Sequence, residues 1–192
     1  MLAPVIKQIK ISMFMLIILS VITGFIYPLL ITMVAQLFFS WQANGSLIRQ
    51  QGVVVGSELI GQDFKQDKYF WGRPSSTNPM SYNPMASSGS NYGPSNAEYL
   101  KLVDARLAHL RSTNAEANIQ VPMDLVSASA SGLDPHISMH AALYQAPRIA
   151  KTRKIELQII KELIVQQRHN EHINVLQLNL ALDQLSQKGS TQ

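Results

Sequence analysis

The 192-residue chain has sixteen Lys or Arg against twelve Asp or Glu, a formal net charge of +4, and no cysteine. Three basic residues and no acid precede Glu58, whereas the rest of the chain is nearly neutral. This distribution gives no support to nucleic-acid binding, because such proteins concentrate positive charge on one face. The lack of cysteine excludes disulfides and thiolate metal sites.

An uncharged run of twenty-nine residues extends from Ile11 to Phe39. As an α-helix it would measure ~43 Å, more than the ~30 Å hydrocarbon core of a bilayer. A cleavable secretory signal has an apolar region about half as long, and a buried core helix of this length is usually amphipathic. The run therefore predicts one transmembrane helix over 11–39, with a kink at Pro28.

The flanking charges predict the orientation of this helix. Lys7 and Lys10 precede the run, and the next cation, Arg49, lies well after it. By the positive-inside rule, residues 1–10 form a cytoplasmic tip, and the chain that follows the transmembrane helix lies outside the cytoplasm. Residues 45–192 are enough for one soluble domain with its own core, which we expect on the periplasmic or extracellular side.

The first part of this domain is predicted to be β-rich and aromatic. Val53–Val55 and Leu59–Ile60 are β-prone runs separated by glycine, so we expect a short strand or hairpin. The aromatic cluster Tyr69–Trp71 is interpreted mainly as core.

The segment Ser75–Asn96 has an unusual composition. Seventeen of its twenty-two residues are Ser, Thr, Asn, Pro or Gly, and none is charged. Two Asn-Pro pairs and Gly93-Pro94 predict defined turns, so we interpret it as an ordered recognition loop. Its neutral oxygens suit hard cations, but they could equally satisfy one another.

Helices dominate the second half of the prediction. A capping box of Ser95 and Glu98 opens a helix from Asn96 to Arg111. A strand follows at 125–127, and then a short helix that Ser138 caps and that ends at Tyr144. The next helix runs from Pro147 to Arg168 and has an apolar stripe of Ile155, Ile159 and Leu163. Asn174 caps the last helix. The fold class is thus a single N-terminal transmembrane helix followed by one mixed α/β (α+β) extracytoplasmic domain.

Catalytic chemistry has weak support in the sequence. Ser129 or Ser131 could be drawn with His136 as a nucleophile and base, with Asp134 as the carboxylate. However, no G-x-S-x-G, S-x-x-K or P-loop motif occurs. The histidine pairs 136/140 and 169/172 lack a third ligand at zinc-like spacing. We therefore predict no catalytic residue, no metal ligand and no directly bound cofactor.

Three blocks carry a resemblance to a known family. The first block is Gly72–Asn96, with its Gly-Arg-Pro-Ser, Tyr-Asn-Pro and Gly-Pro-Ser-Asn elements. The second is Ser131–Ser138 (Ser-Gly-Leu-Asp-Pro-His-Ile-Ser), and the third is Asn174–Asp183. All three resemble the C subunit of the Kdp potassium-transporting ATPase. The blocks occur in family order, and the single N-terminal span is also the family's.

The resemblance implies a non-catalytic subunit of a high-affinity potassium pump in the bacterial inner membrane. The complex uses ATP, Mg²⁺ and K⁺, and its other members are a channel-like A subunit, an ATP-hydrolysing B subunit and a small F subunit. The family's C subunit is described either as promoting ATP binding by the B subunit or as covering the external mouth of the A subunit. The predicted topology favours the second role.

The resemblance also implies a partner-facing surface. Its candidate residues are Arg73, Pro74, Tyr82, Asn83, Pro84, Ser90, Asn91, Gly93, Pro94, Asn96, Asp134, Pro135, His136 and Ser138. Membrane lipid is the other expected partner, and no nucleic acid is expected. The alternative from a different class is a membrane-anchored periplasmic serine hydrolase.

Overall fold

A computed structural model describes the backbone of residues 2–189 and the side chains of residues 4–186. The chain divides into two compact units, Met1–Ser46 and Leu47–Gln192. The first unit is helical, and the second mixes helices with two small sheets.

The first unit is built around one long helix. Its parts are α1 (Leu2–Val21), a π turn (Ile22–Ile26), α2 (Tyr27–Phe38) and the short α3 (Ser40–Ala43). The segment Pro4–Phe38, called the span below, is long and apolar enough to cross a membrane. The helix begins at Leu2 rather than at residue 11, because Pro4 fits a first helical turn and no proline or glycine lies between it and Ile11.

The π turn marks the place where the sequence predicts a kink. Tyr27 N–H donates to the carbonyl of Ile22, one residue further back than in an α-helix. Pro28 follows directly and has no N–H to continue the ladder.

Between residues 47 and 189, the described part of the second unit, there are four longer helices and two 3₁₀ turns. The helices are α4 (Ala97–Thr113), α5 (Met139–Arg153), α6 (Leu157–Gln166) and α7 (Val175–Gly189), and the 3₁₀ turns are Pro84–Ala86 and Met123–Leu125. The expected strand at 125–127 is therefore wrong. Its residues begin in the second of these turns, which follows Pro122.

The strands form two antiparallel sheets. The first pairs β1 (Leu47–Gln50) with β2 (Val53–Ser57), and the second has the order β3 (His136–Ser138), β5 (His172–Asn174), β4 (Arg168–His169). The predicted strand at Val53 is confirmed, but its partner precedes it. Gln51 and Gly52 both have positive φ, which favours a two-residue hairpin turn at that point rather than pairing with Leu59–Ile60.

Two helix boundaries differ from the sequence interpretation. Asn96, not Ser95, caps α4, because its Oδ1 accepts from the N–H of Glu98 at 2.9 Å and of Tyr99 at 3.1 Å. The expected helices from Ser138 to Tyr144 and from Pro147 to Arg168 are divided at the wrong place, because α5 continues to Arg153 and α6 is Leu157–Gln166. Pro147 lies inside α5, and the break comes at Lys154, which adopts a left-handed conformation with φ of 56°.

The core lies among α5, α6, α7 and the three-stranded sheet. Its fully buried large side chains are Phe70, Ile137, Ile149, Ile160, Ile164, Ile173, Val175, Leu178 and Leu182. Phe70 confirms the core interpretation of the aromatic cluster. In α6 the buried face is Ile160, Leu163 and Ile164, whereas Ile159 is 41% exposed, because the helix starts later than the stripe assumed.

Candidate functional site

Two buried amide side chains hold the aromatic segment that precedes the loop Gly72–Asn96. Asn179 accepts from the Phe70 N–H at 2.9 Å and donates to the Phe70 carbonyl at 3.0 Å. Gln145 does the same for Trp71, at 2.8 and 3.1 Å. Each amide thus makes the two backbone hydrogen bonds that a neighbouring strand would otherwise make. We call Gln145 and Asn179 the amide clamp. It fixes where the chain enters the loop at Gly72.

A buried arginine, Arg148, contacts the amide clamp and the aromatic segment that it holds. Arg148 donates to Asn114 Oδ1 at 3.0 Å, to Gln145 Oε1 at 2.9 Å and to the carbonyls of Asp67 and Tyr69. Its guanidinium lies 3.9 Å from the centre of the Trp71 ring. Burial lowers the pKa of Arg148 to about 10, while the nearby charge of Asp67 acts in the opposite direction. The charge stays in place because neutral acceptors surround it.

Hydroxyl groups shape the first half of the loop. Ser75 donates to the Gly132 carbonyl at 2.7 Å and accepts from the Tyr82 N–H at 2.9 Å. Thr77 donates to the Met80 carbonyl at 2.7 Å and accepts from the Asn83 N–H at 3.0 Å. Both hydroxyls therefore point inward and act as caps for the loop backbone.

Tyr82 lies at the centre of the loop and is buried. Its hydroxyl donates to the Arg73 carbonyl at 2.5 Å, and burial, followed by the charges of Asp63 and Asp134, raises its pKa. A Cβ added at Gly61 would lie 2.3 Å from the Tyr82 ring, and one at Gly72 would lie 2.5 Å from its hydroxyl. Glycine is required at both positions because the ring occupies this space.

The block Ser131–Ser138 lies directly against the loop. Gly132, with φ of 67°, sits where a Cβ would lie 2.7 Å from the Thr77 methyl group. Ser131 accepts at its carbonyl from the Ser88 N–H at 3.0 Å, and Ser129 Oγ accepts from the Gly132 N–H at 2.9 Å. The two blocks therefore form one continuous structure. We call it the loop surface, comprising Gly72–Asn96 and Ser131–Ser138.

One ion pair joins the two blocks. Arg73 Nη1 lies 3.1 Å from Asp134 Oδ2, and the two side chains are 26% and 28% exposed. Arg73 also reaches the carbonyls of Ser127 and Ala128, at 3.5 and 3.4 Å. The other Asp134 oxygen accepts from the His136 N–H at 3.0 Å. The carboxylate of Asp134 is thus neutralised and used within the fold.

The structure places the predicted partner-facing residues at different depths. Pro84, Asn91, Gly93, Pro94, Asn96 and His136 are exposed; Arg73, Pro74, Asn83, Ser90, Asp134 and Ser138 are half-buried; and Tyr82 and Pro135 are buried. Several of them have internal roles: Ser138 caps α5 by accepting from the Ala141 N–H at 3.1 Å. The buried pair supports the surface from within and does not face solvent.

Sequence reasoning missed the residues that hold this site together. Gln145 and Asn179 lie on helices far along the chain, and the structure shows both to be completely buried. Ser75 and Thr77 were not distinguished from the other hydroxyl residues of the loop. A polar residue inside an otherwise apolar helical face, as at Asn179, is the one signal that could have found them.

The hydrolase arrangement is not assembled. Ser129 Oγ accepts from Gly132 N–H and Ser131 Oγ accepts from Leu133 N–H, while His136 Nδ1 lies 3.4 Å from Asp134. Among the hydrogen bonds of the described side chains, none joins either serine to His136. Within residues 2–189, no three His, Asp or Glu side chains converge as a metal site would require.

Comparison with known proteins supplies the family. Residues 9–184 match the family model described as KdpC: K⁺-transporting ATPase, c chain. The chain is similar to proteins named potassium-transporting ATPase KdpC subunit. The one from Methylococcus capsulatus is 48% identical to it, over 94% of the chain and 99% of the relative. The corresponding identity is 49% in Herpetosiphon aurantiacus over 88% of the chain and 92% of the relative, and 50% in Escherichia coli K12 over 88% and 93%. The chain therefore belongs to the KdpC family of potassium-transporting ATPase subunits.

Proposed function

We propose that the chain is an anchored accessory subunit whose domain lies outside the cytoplasm and covers the external mouth of a channel-like A subunit. Family membership makes it a non-catalytic subunit of the Kdp potassium-transporting ATPase. The B subunit, which hydrolyses ATP, and the small F subunit complete the proposed complex. The proposed location is the inner membrane, with the N-terminus in the cytoplasm.

The observation that carries this proposal is the construction of the loop surface. Ser75 and Thr77 cap the loop backbone, and Asp134 pairs with Arg73. The oxygens of these three side chains are therefore used within the fold and do not point outward to replace the hydration shell of K⁺, which suits a surface that packs against a protein. Met85, which is 95% exposed, offers it an apolar contact.

The charge distribution supports the external placement. Lys7 and Lys10 precede the uncharged run, and the acids begin only at Glu58. The alternative role described in the family, promotion of ATP binding by the B subunit, would require the domain on the cytoplasmic side. The positive-inside rule favours the opposite side.

A surface substitution tests the contact. Met85→Glu places a charge on the loop surface at a side chain that packs little within the fold. We expect less A subunit to co-purify in mild detergent, and a higher K⁺ concentration at half-maximal ATPase activity. Val165→Glu, on an exposed position of α6, is the control and should behave like the wild type. Wild-type behaviour of both variants would contradict the proposed contact surface.

A second experiment tests the topology. The chain has no cysteine, so Ser95→Cys introduces a single thiol at an exposed position. We expect a membrane-impermeant maleimide to label it in spheroplasts, whereas Gln8→Cys should react only after lysis. If Ser95→Cys also reacts only after lysis, the domain is cytoplasmic and the covering role is wrong, although family membership stands.

A further inference from the structure

The hairpin of β1 and β2 exposes apolar side chains beside its turn. Val53 is 67% exposed and Val54 is 42% exposed, although they follow each other along one strand. Successive residues of a strand point to opposite faces, so the hairpin is apolar on both sides at this end. We call residues 50–54 (Gln-Gln-Gly-Val-Val) the hairpin tip, and none of them is charged.

The base of the hairpin is held by the rest of the domain, whereas the tip projects from it. Gln62 Nε2 donates to the Val55 carbonyl at 2.9 Å, and a Cβ added at Gly56 would lie 2.7 Å from the Leu176 side chain. A Cβ added at Gly52 would meet nothing within 4 Å. The domain therefore fixes the direction of the hairpin but leaves the valines of the tip exposed.

Chain connectivity brings the hairpin close to the membrane interface. Phe38 and Phe39 end the apolar run and Trp41 follows, and aromatic side chains of this kind collect where a bilayer meets water. Ser46 N–H donates to the Trp41 carbonyl at 3.0 Å, so the chain has turned back beside Trp41 by that residue. Leu47, the first residue of β1, comes next, and the four residues of β1 extend about 13 Å. The hairpin tip is therefore within reach of the same interface.

The charges around the hairpin tip favour a lipid surface. Arg49 directly precedes the tip and donates to the Gly52 carbonyl at 3.3 Å, so this cation lies beside the turn. None of the ion pairs among the described side chains includes it. The nearest acid along the chain, Glu58, accepts from Gln177 on α7 at 3.0 Å and is directed away from the tip by this contact. An uncharged apolar tip beside a cation suits anionic phospholipids, because the valines leave water while the guanidinium meets phosphate.

We propose that the hairpin tip inserts into the interface of the bilayer that the span crosses, with Arg49 at the level of anionic phospholipid headgroups. A lipid interface encloses an inserted tip from every side. This suits valines on opposite faces better than a protein groove, which would cover one face. The inference goes beyond the proposed function, because it needs only that the span crosses a bilayer and holds on whichever side of it the domain lies.

The absence of cysteine permits a direct measurement on the full chain. Gln51→Cys carries an environment-sensitive NBD label at the tip, and Lys161→Cys carries the same label at an exposed position of α6. Both proteins are reconstituted in vesicles of phosphatidylethanolamine and phosphatidylglycerol that contain a doxyl-labelled lipid as a quencher. We expect blue-shifted emission and quenching by this lipid at residue 51, and neither effect at residue 161.

A second comparison tests the two valines and the arginine. In the labelled Gln51→Cys protein, Val53→Thr together with Val54→Thr keeps the side-chain shape and the β propensity. It should lower the ratio of inserted to solvent-exposed tip about ten-fold, because two apolar contacts with the interface are lost. Val165→Thr makes the same change at an exposed position of α6 and should leave the quenching unchanged. Arg49→Gln should weaken the quenching in these anionic vesicles but not in vesicles of phosphatidylcholine.

Melting curves of the unlabelled variants by circular dichroism should match that of the wild type, which separates loss of insertion from loss of folding. Equal quenching at residues 51 and 161 would overturn the inference, and so would a double threonine variant that is quenched as strongly as its parent. In native membranes, a photoreactive benzoylphenylalanine in place of Gln51 should cross-link to phospholipid. Cross-links to a protein subunit alone would show that protein covers the tip, and the inference would be wrong.

Discussion

The amide clamp predicts a large loss of stability from one small substitution. Asn179 is 1% exposed, and its two hydrogen bonds satisfy both backbone groups of Phe70, a residue that is itself fully buried. Asn179→Ala leaves that N–H and that carbonyl without partners in a region closed to water. Each unsatisfied buried group costs about 1–3 kcal/mol, so we expect the two groups to cost about 2–6 kcal/mol in the free energy of unfolding.

This loss should appear as a fall in Tm of roughly 4–24 °C, since 1 kcal/mol corresponds to about 2–4 °C in a domain of 150–250 residues. The chain has two tryptophans, and Trp71 lies beside the clamp. In a Trp41→Phe background, the fluorescence of Trp71 therefore reports unfolding of the domain in detergent without a signal from the first unit.

Asn118→Ala is the control, because it makes the same change at an exposed residue. Its Tm should stay within about 2 °C of the background, since surface substitutions usually change stability by less than about 0.5 kcal/mol. An Asn179→Ala variant that melts within this margin would refute the reasoning. It would mean that the backbone of Phe70 finds other partners, or that the segment does not depend on α7.

Three further predictions follow from the loop surface. Gly61→Ala should lower Tm by several degrees, because the new Cβ would lie 2.3 Å from the Tyr82 ring. Gly93→Ala is the control and should leave Tm unchanged, because its added Cβ meets nothing within 4 Å. Equal Tm values for the two variants would contradict the close approach of Gly61 to Tyr82. Asp134→Asn should lower the free energy of unfolding in urea by only about 1 kcal/mol, since its ion pair with Arg73 is partly exposed to solvent. A much larger loss would contradict the view that solvent weakens this ion pair. Above about pH 10, the ordinary pKa of tyrosine, Tyr82 should lower the free energy of unfolding, because the folded state keeps Tyr82 protonated while the unfolded state loses the proton. Arg148 acts in the opposite direction over the same range, since burial lowers its pKa in the folded state. Relative to the wild type, Tyr82→Phe should therefore gain free energy of unfolding between pH 8 and pH 11 in urea titrations, and an equal change in both proteins would refute the assignment to Tyr82.

Local signals in the sequence were sufficient for much of the fold. The apolar run predicts the span because length and absence of charge are properties of the segment alone. The hairpin strand at Val53 and the cap of α5 at Ser138 likewise depend on neighbouring residues. The predictions that went wrong needed information from elsewhere in the chain. Pro147 looks like a helix start by itself, but Gln145, Arg148 and Ile149 on either side of it are all buried, and their packing keeps α5 continuous.

The candidate site was predictable as a location but not as a construction. The composition of Ser75–Asn96 identifies an unusual loop, and its turn signals indicate order. The choice between oxygens that bind a cation and oxygens that satisfy each other could not be made from composition, since both use the same residues. It depends on where Ser75 and Thr77 point, which Gly132 and Tyr82 decide from more distant positions.

The neutralised carboxylate at this surface has a consequence for the proposed role. A free Asp134 beside a potassium pathway would attract the cation and hold it, because a carboxylate is a strong ligand for hard cations. Conduction requires that sites be weak enough for the ion to leave. Arg73 removes this difficulty by pairing with the carboxylate, and the rest of the loop surface from Ser75 to Asn96 carries no charge at all. A cover built in this way can lie over a cation entrance without competing for the ion, which is why an uncharged loop and one internal ion pair suit the covering role better than an acidic surface would.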